Sequence, residues 1–231
     1  GPPTFFAVLI WLCYLGLEPY VRRQWPTMLV AWTRLLSGRL RDPVVGRSVL
    51  VGALFGVASS LLFTVAFFGP EWVGETPPWP KLGNFGTASV MRLPIARGLL
   101  VLPLLLGFIH VMLLVTLRYV LRVKWVAAVV FLAAMPFLFF EDRSVQLMPW
   151  TFIAAVLWGG LVLVLLLRFG VLAVMVCLFC DMLLWEAPLT PKLSAWYAQA
   201  TIVPVGVVAA LAAFGVYAAT YGRPILRAEA G

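Results

Sequence analysis

Apolar stretches of nearly membrane-spanning length, separated by short polar or proline- and glycine-rich connections, make up most of this 231-residue chain. A bilayer has a hydrocarbon core about 30 Å thick, which an α-helix of about 20 apolar residues crosses. The pattern therefore predicts an all-α integral membrane protein, a single polytopic domain over 1–231 with seven transmembrane helices. The predicted spans are 4–18, 48–68, 98–117, 125–140, 149–167, 170–186 and 196–221.

The lysines and arginines divide unevenly between the two sides that this threading creates. With the N-terminus outside, 12 of the 17 fall on the inner side. Cytoplasmic loops of membrane proteins carry the excess of basic residues, so the split predicts an N-out, C-in orientation. The outer side keeps Lys81, Arg92, Arg97, Arg143 and Lys192.

Composition supports the membrane class and limits the partners. The chain is 63% hydrophobic with a mean hydropathy of +1.03, and 11% of its residues are charged, against about 25% in soluble domains. The net charge of +8 does not indicate nucleic-acid binding. Basic residues stand at the ends of apolar stretches, where they suit anionic lipid head groups.

The inner connection 19–47 predicts an amphipathic helix that lies in the membrane interface. Between Thr27 and Arg41, apolar residues recur at near-helical spacing, and Gly38 and Pro43 weaken and then end the pattern. We expect its tryptophans at head-group depth and its arginines at lipid phosphates. The candidate interface residues are Arg22, Arg23, Trp25, Trp32, Arg34, Arg39, Arg41 and Arg47.

Local ion pairs and a loop complete the prediction for the connections. Glu18 is expected to pair with Arg22, and Asp42 with one of the arginines at 39, 41 or 47. Such exposed pairs contribute about 0–1 kcal/mol each. The outer connection 69–97 is rich in proline and glycine, which predicts a turn-rich loop.

Small residues mark two predicted helix contacts. Gly52, Gly56 and Ser60 lie four residues apart in the second span, a stripe that lets another helix backbone approach closely. The seventh span carries a second set of small residues that favours burial against other helices, namely Gly206, Ala210, Ala213, Gly215 and Ala219.

Few residues offer chemistry inside the predicted spans. His110, the only histidine, lies near the middle of the third span, where it is either a core residue or a ligand to a tetrapyrrole metal. Asp181 lies in the sixth span close to Trp185 and Glu186, which favours a hydrated or arginine-paired structural role near the outer surface. Cys177 and Cys180 form a C-x-x-C pair without a second pair, which favours plain packing over a metal site.

Two motifs of the inner connection resemble the C-terminal multi-pass membrane region of certain bacterial serine/threonine protein kinases. They are Leu17-Glu-Pro-Tyr-Val-Arg-Arg-Gln-Trp-Pro26 and Arg34-Leu-Leu-Ser-Gly-Arg-Leu-Arg-Asp-Pro-Val-Val-Gly-Arg47. The resemblance continues at Arg168-Phe-Gly170, at Pro188-Leu-Thr-Pro-Lys-Leu-Ser-Ala-Trp-Tyr-Ala198 and at Tyr221-Gly-Arg-Pro-Ile225.

This resemblance implies a location in the bacterial cytoplasmic membrane but no catalytic activity for this chain. Lys192 departs from the family, in which an acidic residue is expected at that position. The kinase signatures are missing, including the glycine-rich nucleotide loop, H-R-D and D-F-G. Because the chain starts with Gly1-Pro2-Pro3 and enters an apolar stretch at once, we expect it to be a fragment of a longer protein.

The leading functional hypothesis is a non-catalytic membrane anchor or sensor module of a larger signalling protein or assembly. Its expected partners are the lipid bilayer and other membrane or cytoplasmic subunits. An accessory subunit of a photosynthetic or respiratory membrane complex, with His110 contacting pigment, is the alternative. A small-molecule transporter is the third hypothesis, but it would call for broken helices or polar residues clustered at the midplane. No metal or other cofactor is predicted.

Overall fold

The protein is all-helical in the part of the chain that the computed structural model describes, which confirms the all-α part of the predicted fold class. These residues are 26–72, 74, 101–139, 149–185 and 199–221, together with Val8, Leu15 and Gly16. They form a 3-10 turn, Pro26–Leu29, and seven α-helices without a strand. The helices are α1 (Val30–Leu36), α2 (Pro43–Trp72), α3 (Leu102–Leu121), α4 (Lys124–Phe139), α5 (Pro149–Arg168), α6 (Val171–Trp185) and α7 (Gln199–Thr220).

Four of these helices are long and apolar enough to cross a membrane: α2, α3, α5 and the part of α7 from Thr201 to Thr220. The helices α4 and α6 are apolar but shorter, with 16 and 15 residues. Most of the predicted first span 4–18, residues 19–25 and most of the loop 69–97 lie outside the described residues.

Three helix boundaries differ from the prediction, and the two at helix starts have a proline in the first turn. The helix α2 begins five residues before the predicted 48–68, because Asp42 caps it and Pro43 occupies its first position. It also continues to Trp72 with Pro70 in its last turn, so residues 69–72 are helix and not loop. The helix α3 starts at Leu102 rather than 98, with Pro103 in its first turn.

Close contacts show that α2 and α6 run parallel. A Cβ added to Gly52 would meet the Ala173 carbonyl oxygen at 2.6 Å, and one added to Gly56 would meet Cys180 Cβ at the same distance. Residue numbers thus rise together along both helices. The backbones approach closely because glycine has no side chain at the contact.

The helices α5 and α7 run against α2, and α4 runs against α5. Trp150 of α5 packs on Gly69 near the end of α2. Leu50, near the start of α2, packs on Gly215 near the end of α7. Met135 of α4 packs on Gly159 of α5. The rings of Phe137 and Phe152 pack edge to face, with centroids 6.5 Å apart.

These directions bring the starts of α2, α4 and α6 and the ends of α5 and α7 to one end of the bundle, here called the basic end. Every lysine and arginine in the described ranges lies at this end, while Glu71 lies at the opposite one. The basic residues concerned are Arg34, Arg39, Arg41, Arg47, Arg118, Arg122, Lys124 and Arg168.

The core centres on α6, which is hydrophobic on nearly all sides. Most of its residues are buried, among them Val171, Met175 and Leu178. The helices α2, α3 and α5 and the 3-10 turn all pack against it. A helix that is apolar all round belongs in the middle of a bundle, which explains how a helix of only 15 residues can be held there.

The outer surface of the bundle is strongly apolar between its two ends. Leu54 and Leu61 of α2 and Leu157 of α5 are more than half exposed. Large aromatic residues stand near both ends of this surface. They are Trp72, Trp150 and Trp185 at the end opposite to the basic end, and Tyr119, Trp125, Tyr217 and Tyr221 at the basic end.

Candidate functional site at the basic end

The segment before α2 is docked into the bundle and is not a continuous helix from Thr27 to Arg41. Met28, Leu29 and Ala31 are buried, and the Met28 carbonyl oxygen lies so close to Gly170 that a Cβ there would collide with it. The ring of Trp32 packs edge-on against Phe108, 5.7 Å between centroids. This differs from the prediction of an interfacial helix with Trp32 at head-group depth, because the apolar face of the segment packs on protein.

The helix α1 ends at Leu36, earlier than its apolar pattern predicts. Ser37 Oγ donates a hydrogen bond to the Arg34 carbonyl oxygen at 2.9 Å, and Ser37 forms the C-cap. Gly38 follows with φ +79°, a left-handed conformation that glycine adopts without strain. Residues 37–42 therefore form a connection that carries its charged residues on the outside of the basic end.

Asp42 joins α1 to the start of α2. Its Oδ1 accepts the Val44 N–H at 2.8 Å, which caps α2. Arg34 donates to both carboxylate oxygens, at 2.9 and 2.8 Å. The hydrogen-bonded partner is thus Arg34 and none of the predicted arginines at 39, 41 and 47, although the charge of Arg39 also acts on Asp42. Arg34 lies on α1 and reaches Asp42 because α1 folds back toward α2.

These contacts hold the Asp42 carboxylate in its ionised form. Partial burial opposes ionisation, but the hydrogen bond from Val44 and the charge of Arg34 outweigh it and lower the pKa of Asp42 below its usual range. Since Asp42 neutralises Arg34, this arginine contributes little positive charge to the surrounding surface.

We predict that Asp42→Ala lowers the unfolding free energy by about 1–2 kcal/mol, since it removes a helix cap and a bidentate ion pair. A carboxylate with a lowered pKa stabilises the fold above its unfolded pKa of about 3.9. That contribution disappears as the pH falls through the lower pKa of the folded state. Denaturation in micelles at neutral and at strongly acidic pH measures both effects.

The matched control is Asp42→Asn, which keeps a side-chain oxygen for the Val44 N–H but loses the ion pair. It should fall between wild type and Asp42→Ala at neutral pH. Equal stability of all three proteins at neutral pH would contradict this role of Asp42.

Three arginines stand exposed around the start of α2 and form no salt bridge in the described ranges, although the charge of Arg39 helps to lower the pKa of Asp42: Arg39, Arg41 and Arg47. The Arg41 guanidinium lies 5.4 Å from the centre of the Tyr221 ring, and that of Arg47 lies 5.1 Å from the centre of the Phe169 ring. Such cation–π contacts orient a guanidinium while leaving its N–H groups able to donate.

Apolar side chains are exposed between these arginines. Leu36 is 62% exposed, and Leu40 and Val44 also protrude from the basic end. Alternation of exposed leucine and arginine is typical of a surface at the boundary between hydrocarbon and lipid phosphate. Arg22, Arg23 and Trp25, which were predicted for the same surface, lie outside the described residues, as does the predicted pair of Glu18 with Arg22.

The predicted small-residue stripe of α2 faces α6. Gly52 and Gly56 form the closest contacts with that helix, and Ser60 is buried. On α7 the predicted burial of small residues holds only in part. Gly215 packs against Leu50, whereas Gly206 is exposed with no atom within 4 Å of an added Cβ. Ala210 and Ala213 are exposed as well, so the expectation of burial was wrong for that face of α7.

His110 is buried inside the bundle and does not lie on an outer face. Its Nδ1 bonds to the Leu106 carbonyl oxygen at 2.6 Å; because a carbonyl only accepts, Nδ1 carries the proton. Its ring contacts Trp158 and Phe131, at 5.7 and 6.2 Å between centroids. Two aromatic rings therefore pack against His110 inside the bundle.

The two cysteines of α6 are buried free thiols three residues apart. Cys180 touches Gly56 of α2. Within the described ranges, no group of three histidine, cysteine or acidic side chains is arranged to hold a metal ion.

Three structural residues escaped the sequence analysis. Gly46 packs against Ala218 and Ala219 of α7, and Gly170 has φ +84° in the turn between α5 and α6. Ser59, adjacent to the predicted Ser60, is fully buried and faces α6. Gly46 and Gly170 could have been singled out from the sequence, since each lies within two residues of an arginine at the edge of an apolar stretch.

Comparisons with protein-family models, with curated proteins and with solved structures find no match. The resemblance to the membrane region of bacterial kinases therefore stays a prediction from the motifs themselves.

Proposed function

We propose that this chain is a non-catalytic, multi-pass membrane module that anchors a larger assembly and binds anionic phospholipid at its basic end. The observation that carries the proposal is the clustering of every described lysine and arginine at one end of an apolar bundle. Four helices of the bundle are long and apolar enough to cross a membrane.

The surface between the two ends supports a lipid environment. Leucines and valines stand exposed along α2 and α5, where water would be a poor solvent for them. Tryptophans and tyrosines near both ends match the aromatic belts found at the two membrane surfaces. In this proposal the basic end faces the bacterial cytosol, in agreement with the positive-inside rule.

The arrangement at the start of α2 supports recognition of a lipid phosphate. Arg39, Arg41 and Arg47 offer exposed guanidinium groups, and the side-chain hydrogen bonds of the neighbouring Asp42 go to Arg34 instead. Leu36 and Leu40 supply apolar contacts for the adjoining acyl region. Each basic residue near an anionic membrane surface contributes about 1 kcal/mol.

We predict that the triple variant Arg39→Gln, Arg41→Gln, Arg47→Gln loses at least about tenfold in its preference for phosphatidylglycerol over phosphatidylcholine. The measurement is electron paramagnetic resonance of spin-labelled lipids around the full chain reconstituted in vesicles of both lipids. Added salt should weaken the wild-type preference, because screening weakens exposed charge interactions.

A triple variant with the same loss of net charge, Lys81→Gln, Arg92→Gln, Arg97→Gln, is the control. It changes basic residues that the threading assigns to the outer side, and it should keep the preference. An unchanged preference in the first triple variant, or an equal loss in both, would overturn lipid recognition at the basic end.

A further inference from the structure

Asp181 is a buried carboxyl group that the proposed anchoring function does not use. It lies on α6 with 9% of its surface exposed, and its Oδ1 has no hydrogen-bond partner in the described ranges. Ser59 of α2 is fully buried and faces it. Neither Ser59 Oγ nor Asp181 Oδ1 makes a hydrogen bond of good geometry there, but the two side chains are close enough to interact.

Contacts between α6 and α2 give the level of the site in the bundle. At 1.5 Å per residue, Ser59 lies along α2 about 24 Å from Pro43 and about 20 Å from Trp72. Trp185, where α6 ends, packs against Phe63 and Phe67, with ring centroids 6.1 and 6.0 Å apart. Asp181 therefore lies at the level of the middle of α2, one helical turn from the aromatic cluster around Trp185.

No cation in the described ranges is placed to compensate a charge on Asp181. Every lysine and arginine there lies at the basic end. On its own helix the nearest titratable groups are the neutral thiols Cys177 and Cys180. The ionisable residues on helices packed against α6 are Arg34 of α1, Arg47 and Glu71 of α2, His110, Arg118 and Tyr119 of α3, Arg168 of α5, and Tyr217 of α7.

An ionised carboxylate in apolar surroundings is strongly disfavoured without a cation and hydrogen-bond donors, so such a group takes up a proton. The backbone of Asp181 also lies against α2, since a Cβ added to Gly56 would come within 3.4 Å of the Asp181 nitrogen. A neutral acid can donate to the Ser59 hydroxyl, which in turn has a proton to donate.

We propose that Asp181 and Ser59 form a proton-binding site in the interior of the helix bundle, in which Asp181 is a neutral carboxylic acid at neutral pH and Ser59 is its hydrogen-bond partner. Uptake adds one proton to a carboxylate oxygen, and release returns it and leaves the carboxylate. The site belongs to α2 and α6 and does not involve the arginines of the basic end.

Infrared spectroscopy of the full chain in lipid vesicles tests this directly, because protonated and ionised carboxyl groups absorb at separate frequencies. The difference spectrum of wild type minus Asp181→Asn at neutral pH should show the carbonyl band of a protonated acid. Strongly alkaline pH should convert that band into carboxylate bands. Carboxylate bands already present at neutral pH, as for an acid paired with an arginine, would overturn the proposal.

Two further samples complete the experiment. Ser59→Ala should keep the protonated band but shift it to higher frequency, as expected on loss of a hydrogen bond; an unshifted band would remove Ser59 from the site. If Asp181→Asn fails to fold, carboxyl-labelled [13C]aspartate in the wild-type chain replaces the difference spectrum. An isotope shift of the protonated band then supports the proposal, and its absence contradicts it.

Discussion

Replacing Gly56 with leucine is expected to cost the protein about 3 kcal/mol or more of its unfolding free energy, since the contact has no space for a side chain. The first atom of any side chain there would lie 2.6 Å from Cys180 Cβ and 2.7 Å from the Cys177 carbonyl oxygen. One of these is backbone and cannot rotate away. The α2 and α6 helices would have to separate, and α6 is the centre of the core.

Denaturation of the purified chain in mixed micelles, followed by circular dichroism, measures this loss. Gly206→Leu is the matched control, because Gly206 also lies in a helix but has no atom within 4 Å of an added Cβ. It should be neutral or slightly stabilising, since leucine has the higher helix propensity. Equal stability of the two variants would show that α2 and α6 do not pack through Gly56.

The existence of the main helices was predictable because a single physical requirement sets their length. A helix that crosses hydrocarbon needs a long apolar stretch, and such stretches are visible in any sequence. The ends of α2 were harder to predict, because they depend on a cap. Asp42 and Pro43 begin the helix five residues before the apolar stretch does.

The role of the segment before α2 could not be deduced from its pattern. An apolar face on a short basic helix suits a membrane interface and a protein core equally well. Packing against Gly170 and Phe108 decided the outcome, and both residues are distant in sequence. Asp42 and Arg34 meet through the same tertiary contact. The sequence pattern alone therefore indicated only the arginines that lie nearer to Asp42 along the chain.

The level of Asp181 within the bundle also depends on tertiary contacts. The helix α6 ends beside Phe63 and Phe67 of α2, before Trp72, so Asp181 lies beside the middle of α2. The small residues of α7 show the same limit, since a glycine permits close packing without requiring it.

The central claim is that hydrocarbon, not water, surrounds the middle of this bundle, with the basic end at one membrane surface. Spin labels on single cysteines at Leu54, in an exposed part of α2, and at Leu40, at the basic end, test it in a background where the native cysteines are replaced. In vesicles, we predict that relaxation of the Leu54 label responds to oxygen and not to a water-soluble nickel chelate. The label at Leu40 should respond more strongly to the chelate. A label at Leu54 that responds to the chelate as strongly as one at Leu40 would contradict the account.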